Sequence, residues 1–257
     1  MLAIQGDVYA GLHQAIRGAI LDALQQTPLN ADPQAKQEWH EVRLLLEKYD
    51  LQTTVESTAA TVCEKFKEVF LEEILKDKLG DDWKLYQWGN RSTVVENLLS
   101  RKDPAFLPRR FSSYGDFMVY CLQRTRLELS ERFRSTHPAA WTWGDYVPLE
   151  FKHPLAAFWP LTLVFNTGPY PQPGAPSTVK QTSAGHGVSM RIVVDFSDLD
   201  GSFNNITLGQ SGHPLSPHYR DQIQSWREAK SFPMRFALAK VRQHAVYTSH
   251  LLPEQGH

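Results

Sequence analysis

Ser211 sits in Gly209-Gln210-Ser211-Gly212-His213, a serine set among glycines, and its hydroxyl is the first candidate for nucleophilic chemistry. A nucleophile elbow carries Gly-x-Ser-x-Gly, because the second glycine permits the sharp strand-to-helix turn that holds the serine exposed. His213 occupies that second glycine position. The stretch therefore reads as a structural turn, in which glycines supply backbone freedom and polar side chains bond the chain. His213, His218 and Asp221 are the nearest approach to a metal-ligand cluster. Two histidines on one helical face need a spacing of four, and these are five apart with Pro214 and Pro217 between them. His218 and Asp221, near a helix start, read instead as capping or hydrogen-bonding groups.

Asp195, Asp198 and Asp200 follow an apolar run and have the alternation of a cation-binding loop, against which stands the plainer reading of a solvated turn. Arg191, between apolar neighbours, is a candidate for a buried ion pair with Asp195 or another carboxylate, costly to break without being catalytic. Cys63 and Cys121 are the only cysteines, and both fall in apolar helical patterns, where a buried thiol acts as a small hydrophobe; one bridge between them stays open.

A chain of 257 residues, 42% hydrophobic, is long enough to bury a core of one or two domains. With 27 basic and 28 acidic residues there is no overall field to favour nucleic acid or an anionic membrane. No apolar run reaches the roughly 18 to 20 residues of a membrane span, and no charged segment followed by an apolar one marks an export signal at the start.

The elements that must position these groups divide the chain into a helical segment, 1–140, and a β-rich segment, 141–257, probed by periodicity. Val8, Leu12, Ile16, Ile20 and Leu24 make one helical stripe ending at Pro28, and Ala35 to Leu46 a shorter helix. Thr53 and Glu56 have the spacing of a capping box, opening a helix that carries Val62, Phe66, Phe70 and Ile74 and stops at Gly80. Thr93 and Glu96 cap another helix, broken by Asp103-Pro104, and a long helix is predicted from Ser113 to Arg134, with Phe117, Cys121, Arg124 and Leu127 at helical spacing. Beyond Trp141, Leu161 to Phe165 and Val188 to Phe196 are the best strand candidates, with a proline-rich loop from Gly168 to Pro176 between them. Ser177 to Lys180 and Ile206 to Leu208 read as short strands, Pro217 to Glu228 as a helix, and Phe232 to Ala245 as strand then helix.

The run from Gly209 through Ser216-Pro217-His218-Tyr219-Arg220-Asp221-Gln222, with Trp226 beyond it, resembles the C-terminal signature of the penicillin acylase family, amide hydrolases with an N-terminal nucleophile. Val188 to Asp195 resembles the strand before that signature, Trp143-Gly144 and His153-Pro154-Leu155 resemble the family's WG and HPL elements, and Gln5-Gly6-Asp7 resembles a helix that follows its active-site segments. Tyr49-Asp50 departs from the pattern, standing where a Trp-Asp pair is expected. The resemblance is collinear over nearly the whole chain. It implies an α+β chain whose helical first half is followed by strands belonging to a layered αββα fold, one domain that is incomplete alone.

In that family a self-cleaving precursor exposes a serine whose own α-amino group serves as base, while an asparagine and a backbone amide hold the oxyanion. By resemblance those groups lie N-terminal to Gln5-Gly6-Asp7, and removal of Met1 would leave Leu2, which has no side-chain nucleophile. The resemblance therefore assigns no catalytic, cofactor-binding or metal-ligating residue to this chain. It implies calcium only on upstream residues, a location in a bacterial periplasm or outside the cell, and as partner the N-terminal part of the acylase or its small chain. A small-molecule amide is implied as substrate only of the complete protein. Trp141, Trp143, Tyr146, Phe151, Phe158 and Trp159 either contribute to an acyl pocket or pack a core, the second being the plainer reading. The chain is then either a part of a longer acylase or a separately translated remnant, and a non-catalytic interaction protein that completes its sheet with a partner is the alternative.

Overall fold

The computed structural model describes residues 1–26, 33–86, 91–183 and 185–252. Contacts between Cα atoms gather into two compact units, residues 7–187 and residues 1–6 with 188–257. The division predicted at residue 140 falls inside the larger unit.

The larger unit is built on five helices, α2 (Leu12–Gln26), α3 (Pro33–Glu47), α4 (Thr58–Leu79), α5 (Arg91–Arg101) and α6 (Tyr114–Phe133), after the short α1 (Leu2–Gln5), which belongs to the other unit. α4 is central, packing against α2 and α6. Its Phe66 and Phe70 are fully buried, stacked at 6.1 Å, and Phe70 meets Phe117 of α6 at 5.2 Å. Ile16 and Ile20 of α2 and Leu46 of α3 close the same core, as the helical stripes predict.

Helix ends show which local signals held. Ser113 caps α6, its Oγ accepting the Asp116 amide at 3.1 Å. At the other end Arg134 is left-handed (φ 50°), its amide donates to Glu131 O, and Ser135 N donates to Ser130 O, the two bonds of a Schellman motif. Gly80 ends α4 at φ 56°. Other expectations are corrected. Ser57, not Thr53, caps α4, because Thr53 is spent elsewhere: its amide donates to Val8 O and its carbonyl accepts Gly174 N. The same pairing, around the Tyr9–Gln52 bridge, holds residues 8–10 extended and delays α2 to Leu12. Thr93 and Glu96 lie within α5, not at its start. Leu127 is 58% exposed and leaves the apolar stripe of α6. The stop assigned to Pro28 lies outside the described residues.

After a turn of helix, α7 (Trp143–Tyr146), the hairpin β1 (Leu149–Phe151) and β2 (Thr167–Tyr170) encloses α8 (Thr162–Phe165), and β3 (Thr182–Ser183) pairs with β4 (His186–Gly187). Leu161 to Phe165, predicted as a strand, is helical because Leu161 O accepts the amides of Val164 and Phe165. The strand is Thr167–Tyr170, part of the predicted loop: Gly168 at φ +111° passes so close to Leu149 that a Cβ would sit 2.7 Å from its carbonyl oxygen. Ser177 to Lys180 is a turn, held by Thr178 Oγ1, which accepts the Ala175 amide at 2.9 Å.

The smaller unit carries an antiparallel sheet in the order β5 (Met190–Val193), β6 (Phe203–Ile206), β7 (Phe232–Pro233), with α9 (Ile223–Arg227) and α10 (Leu238–His244). β5 is shorter than the predicted Val188 to Phe196, and β6 lies ahead of the predicted Ile206 to Leu208. α9 covers only the end of the predicted Pro217 to Glu228 helix, while the predicted strand and helix after Phe232 are both present. Among the described residues no helix is long and apolar enough to cross a membrane.

Candidate functional site

The signature loop is built around Gly209. A Cβ there would meet His218 O at 2.1 Å and Asp221 Oδ1 at 2.7 Å, so the residue must be glycine for the two arms of the loop to close. Ser211 N donates to His218 O at 3.1 Å and Gln222 N to Leu208 O at 2.8 Å, while Gln222 Oε1 accepts Ile206 N, tying the loop to β6. Ser211 Oγ accepts the His213 amide at 3.1 Å, and His218 Nδ1 pairs with Asp221 Oδ2 at 2.8 Å. The serine thus serves a turn. Among the described residues no group of three His, Cys, Asp or Glu side chains is placed to hold a metal ion.

The aspartates next to β5 do similar duty. Asp195 Oδ1 accepts the Ser197 hydroxyl at 2.6 Å and the Ser197 amide at 2.9 Å, and these bonds hold its carboxyl below the usual range. Asp200 Oδ1 accepts the amides of Phe236 and Ala237, the chain leading into α10, and is lowered first by the Phe236 bond. Asp198 caps its own turn through the Asp200 amide. Arg191 is buried as predicted, yet its expected ion pair is replaced: Nη1 donates to Trp226 O at 2.7 Å and the guanidinium lies over the Trp226 ring at 5.5 Å. Burial without a carboxylate pushes its pKa down. Trp226 is fixed in turn by Nε1 donating to Val188 O at 2.7 Å.

In the larger unit the aromatic cluster splits. Trp141, Trp143 and Tyr146 are buried in the core, whereas Phe158 and Trp159 are 73% and 79% exposed. Gly144 lets this stretch pack, since a Cβ would stand 2.6 Å from Val55 Cγ1 and 2.8 Å from Pro171 Cβ. A cavity of about 880 Å³ opens beside α4 and α6, lined by Glu64, Glu68, Glu128, Arg132, Trp143 and Tyr146 among others. Two of its carboxylates are engaged. Glu68 accepts the Tyr146 hydroxyl at 2.8 Å, and Glu128 meets Lys65 at 2.6 Å. Burial alone would raise Glu128, but Lys65 and Arg124 reverse it and lower its pKa. A general acid needs its pKa raised toward neutrality, and Glu64 and Glu128 are shifted the other way.

Sequence reasoning missed one buried network. His13 Nε2 meets Glu64 Oε1 at 2.9 Å and Nδ1 meets the Tyr49 hydroxyl at 2.9 Å, with Thr53 Oγ1 beyond at 3.5 Å and Lys67 on the second Glu64 oxygen. One arrangement satisfies the chain: Nε2–H donates to Glu64, and Tyr49 donates to Nδ1. Burial would raise Glu64, yet Lys67 and His13 hold it at about 2. The signal for this network was the register of His13, three and seven residues before the buried Ile16 and Ile20. Tyr49, in place of the expected tryptophan, fills a buried site and supplies the hydroxyl that His13 needs. Cys63 and Cys121 are free and buried, and burial raises both thiols far above the range of a thiolate at neutral pH.

These elements form a chain of mixed α and β structure in which Ser211, His218 and the His13–Glu64 network bond within their own surroundings. The penicillin amidase family model matches residues 1–243, and the chain belongs to that family. It is 26% identical over 219 residues to the acyl-homoserine lactone acylase QuiP of Pseudomonas aeruginosa, covering 73% of this chain and 26% of that protein. Penicillin acylase 2 proenzyme of Pseudomonas sp. (strain SE83) is 33% identical over 120 residues, 43% of this chain and 16% of that one. Among solved structures, thermostable penicillin G acylase from Alcaligenes faecalis superimposes with a TM-score of 0.57 at 17% identity, over 97% of this chain and 48% of its own. The fold is therefore that of an N-terminal nucleophile hydrolase. This chain spans about a quarter or less of these curated relatives' length.

Proposed function

We propose that the chain is the C-terminal portion of a penicillin amidase family enzyme and contributes scaffold, with the nucleophile and oxyanion groups carried by another portion. The complete protein hydrolyses a linear amide, such as the side chain of a β-lactam or an acyl-homoserine lactone, a reading supported by relatives named penicillin acylase and acyl-homoserine lactone acylase. The observation that carries this reading is the engagement of Ser211 in its own turn within a chain that matches the family over residues 1–243. Among the described residues, neither Ser211 nor either thiol has a hydrogen-bonded base. Alone, the chain is inactive.

Among the described residues no three carboxylates, Asp195, Asp198 and Asp200 included, come together as a metal-holding group, and any family calcium is assigned to the other portion. By the same reading the partner is the N-terminal portion or its small chain, and the location is periplasmic or extracellular. A second reading, a non-catalytic protein that binds a partner, is favoured by the exposed Phe158 and Trp159. Incubation of the purified chain with a chromogenic acyl amide and with an N-acyl-homoserine lactone tests the first. No release of acid is expected from either, and turnover by the chain alone would overturn the assignment of scaffold.

A further inference from the structure

Between β1 and β2 the chain makes a closed loop, residues 154–165. Its ends are tied together, for His153 N donates to Asn166 Oδ1 at 3.0 Å, Asn166 Nδ2 donates to Glu150 Oε1 at 3.4 Å, and the His153 ring stacks on Phe165 at 4.8 Å. His153 Nδ1 also accepts the Leu155 amide, which fixes the first turn of the loop. A short loop with pinned ends ordinarily packs on its own side chains. Here the apolar side chains point outward: Leu155 is 57% exposed, Phe158 73%, Trp159 79% and Leu163 77%, with Leu161 and Val164 partly exposed beside them.

So dense an apolar display is rare on a surface that ends in water and marks an interaction site. Its chemistry narrows the partner. From His153 to Val179 the sequence contains no Asp, Glu, Lys or Arg, so the surface offers no charge to attract nucleic acid or a charged peptide. An uncharged, aromatic knob fits an equally apolar protein surface, where tryptophan and phenylalanine anchors carry most of the binding energy. The pinned ends order the knob before binding and reduce the entropy lost on docking. The relatives and the superimposed acylase are each at least twice the length that this chain covers, so a large body of protein is available to meet it.

We infer that the loop 154–165 is the docking knob for the remaining portion of the acylase, with Phe158, Trp159 and Leu163 as its anchors. This rests on the reading of the chain as one portion of a longer amidase and names the surface through which the portions join. The test is copurification. The polypeptide encoded immediately upstream of the Met1 codon is coexpressed, tagged, with the full 257-residue chain carrying Phe158→Ser and Trp159→Ser together, or Leu163→Ser. These side chains are about three-quarters exposed, so circular dichroism and Tm of the chain alone stay unchanged. Recovery of the double variant is expected to fall at least tenfold below that of the parent chain, and recovery of Leu163→Ser several-fold.

Equal recovery of parent and double variant would overturn the docking knob and leave the amidase reading in place. Failure of the parent chain to copurify with an encoded upstream acylase portion would do the same. An upstream region that encodes no acylase portion would overturn both. If the chain alone sediments as a dimer that the double variant dissolves, or floats with phosphatidylcholine vesicles through these residues, the knob belongs to a second copy or to a membrane surface and the inference fails.

Discussion

Glu64→Gln tests whether the buried His13–Glu64–Lys67 network holds the helical core. Glu64 is 3% exposed and its carboxyl titrates at about 2, against an ordinary 4.5. A difference of about 2.5 units at about 1.4 kcal/mol each corresponds to about 3 kcal/mol of stability at neutral pH. The sign follows from the lowered folded value. The contribution is fully present above pH 4.5, where the unfolded chain is ionised too, and it is lost as pH falls toward 2. By pH 3 about 2 kcal/mol of it has gone. The glutamine variant has no charge to lose and leaves Lys67 without its buried partner, so it should be about 3 kcal/mol less stable at pH 7. Urea unfolding followed by tryptophan fluorescence at pH 7, 5 and 3 reads both quantities. The other lowered carboxylates, Glu72, Asp77, Glu128, Asp195, Asp200 and Glu228, titrate in parent and variant alike, so the difference between the two curves isolates Glu64. A variant as stable as the parent at pH 7, with the same loss between pH 5 and pH 3, would show that the Glu64 charge does not hold the core.

Three further outcomes are expected. Arg134→Gly should stabilise α6 by about 0.5 to 1 kcal/mol, since glycine takes the left-handed Schellman position without the strain that a Cβ brings there; a lowered Tm would contradict this. Gly209→Ala should open the signature loop, because its Cβ meets a backbone oxygen that cannot give way, at more than about 3 kcal/mol; hydrogen exchange over 208–222 should rise from protected to fast. Cys63 and Cys121 should resist a thiol reagent in the folded chain at pH 8 and both react in urea, and rapid labelling of either when folded would contradict their burial.

What was legible in the sequence was local. α6 could be bounded to within a residue, since Ser113 and Arg134 act on their own turns and the apolar spacing between them is helical. Gly80 was readable for the same reason. The misses came from residues claimed by distant parts of the chain. Thr53 has the composition of a cap, but Val8 and Gly174 take its backbone, and nothing near Thr53 announces either. Thr167 to Tyr170 holds a glycine and a proline and still forms a strand, because close approach to Leu149 needs Gly168. Leu161 to Phe165 failed in the opposite sense: a short apolar run does not say strand or helix, and its apolar side chains face outward from this chain. For the candidate site, the glycines of the signature loop were correctly read as turn residues. Arg191 was correctly buried and wrongly paired, because the carbonyl and indole face of Trp226 that it meets leave no trace in spacing.

The central claim, that this chain is the scaffold portion of a larger amidase, is tested most directly by reading the DNA upstream of the Met1 codon. If the chain is that portion, an open frame in phase encodes a serine at the start of a large chain and an oxyanion asparagine after it. A stop codon followed by a ribosome-binding site next to Met1 would contradict it and leave a separate protein whose partner is encoded elsewhere.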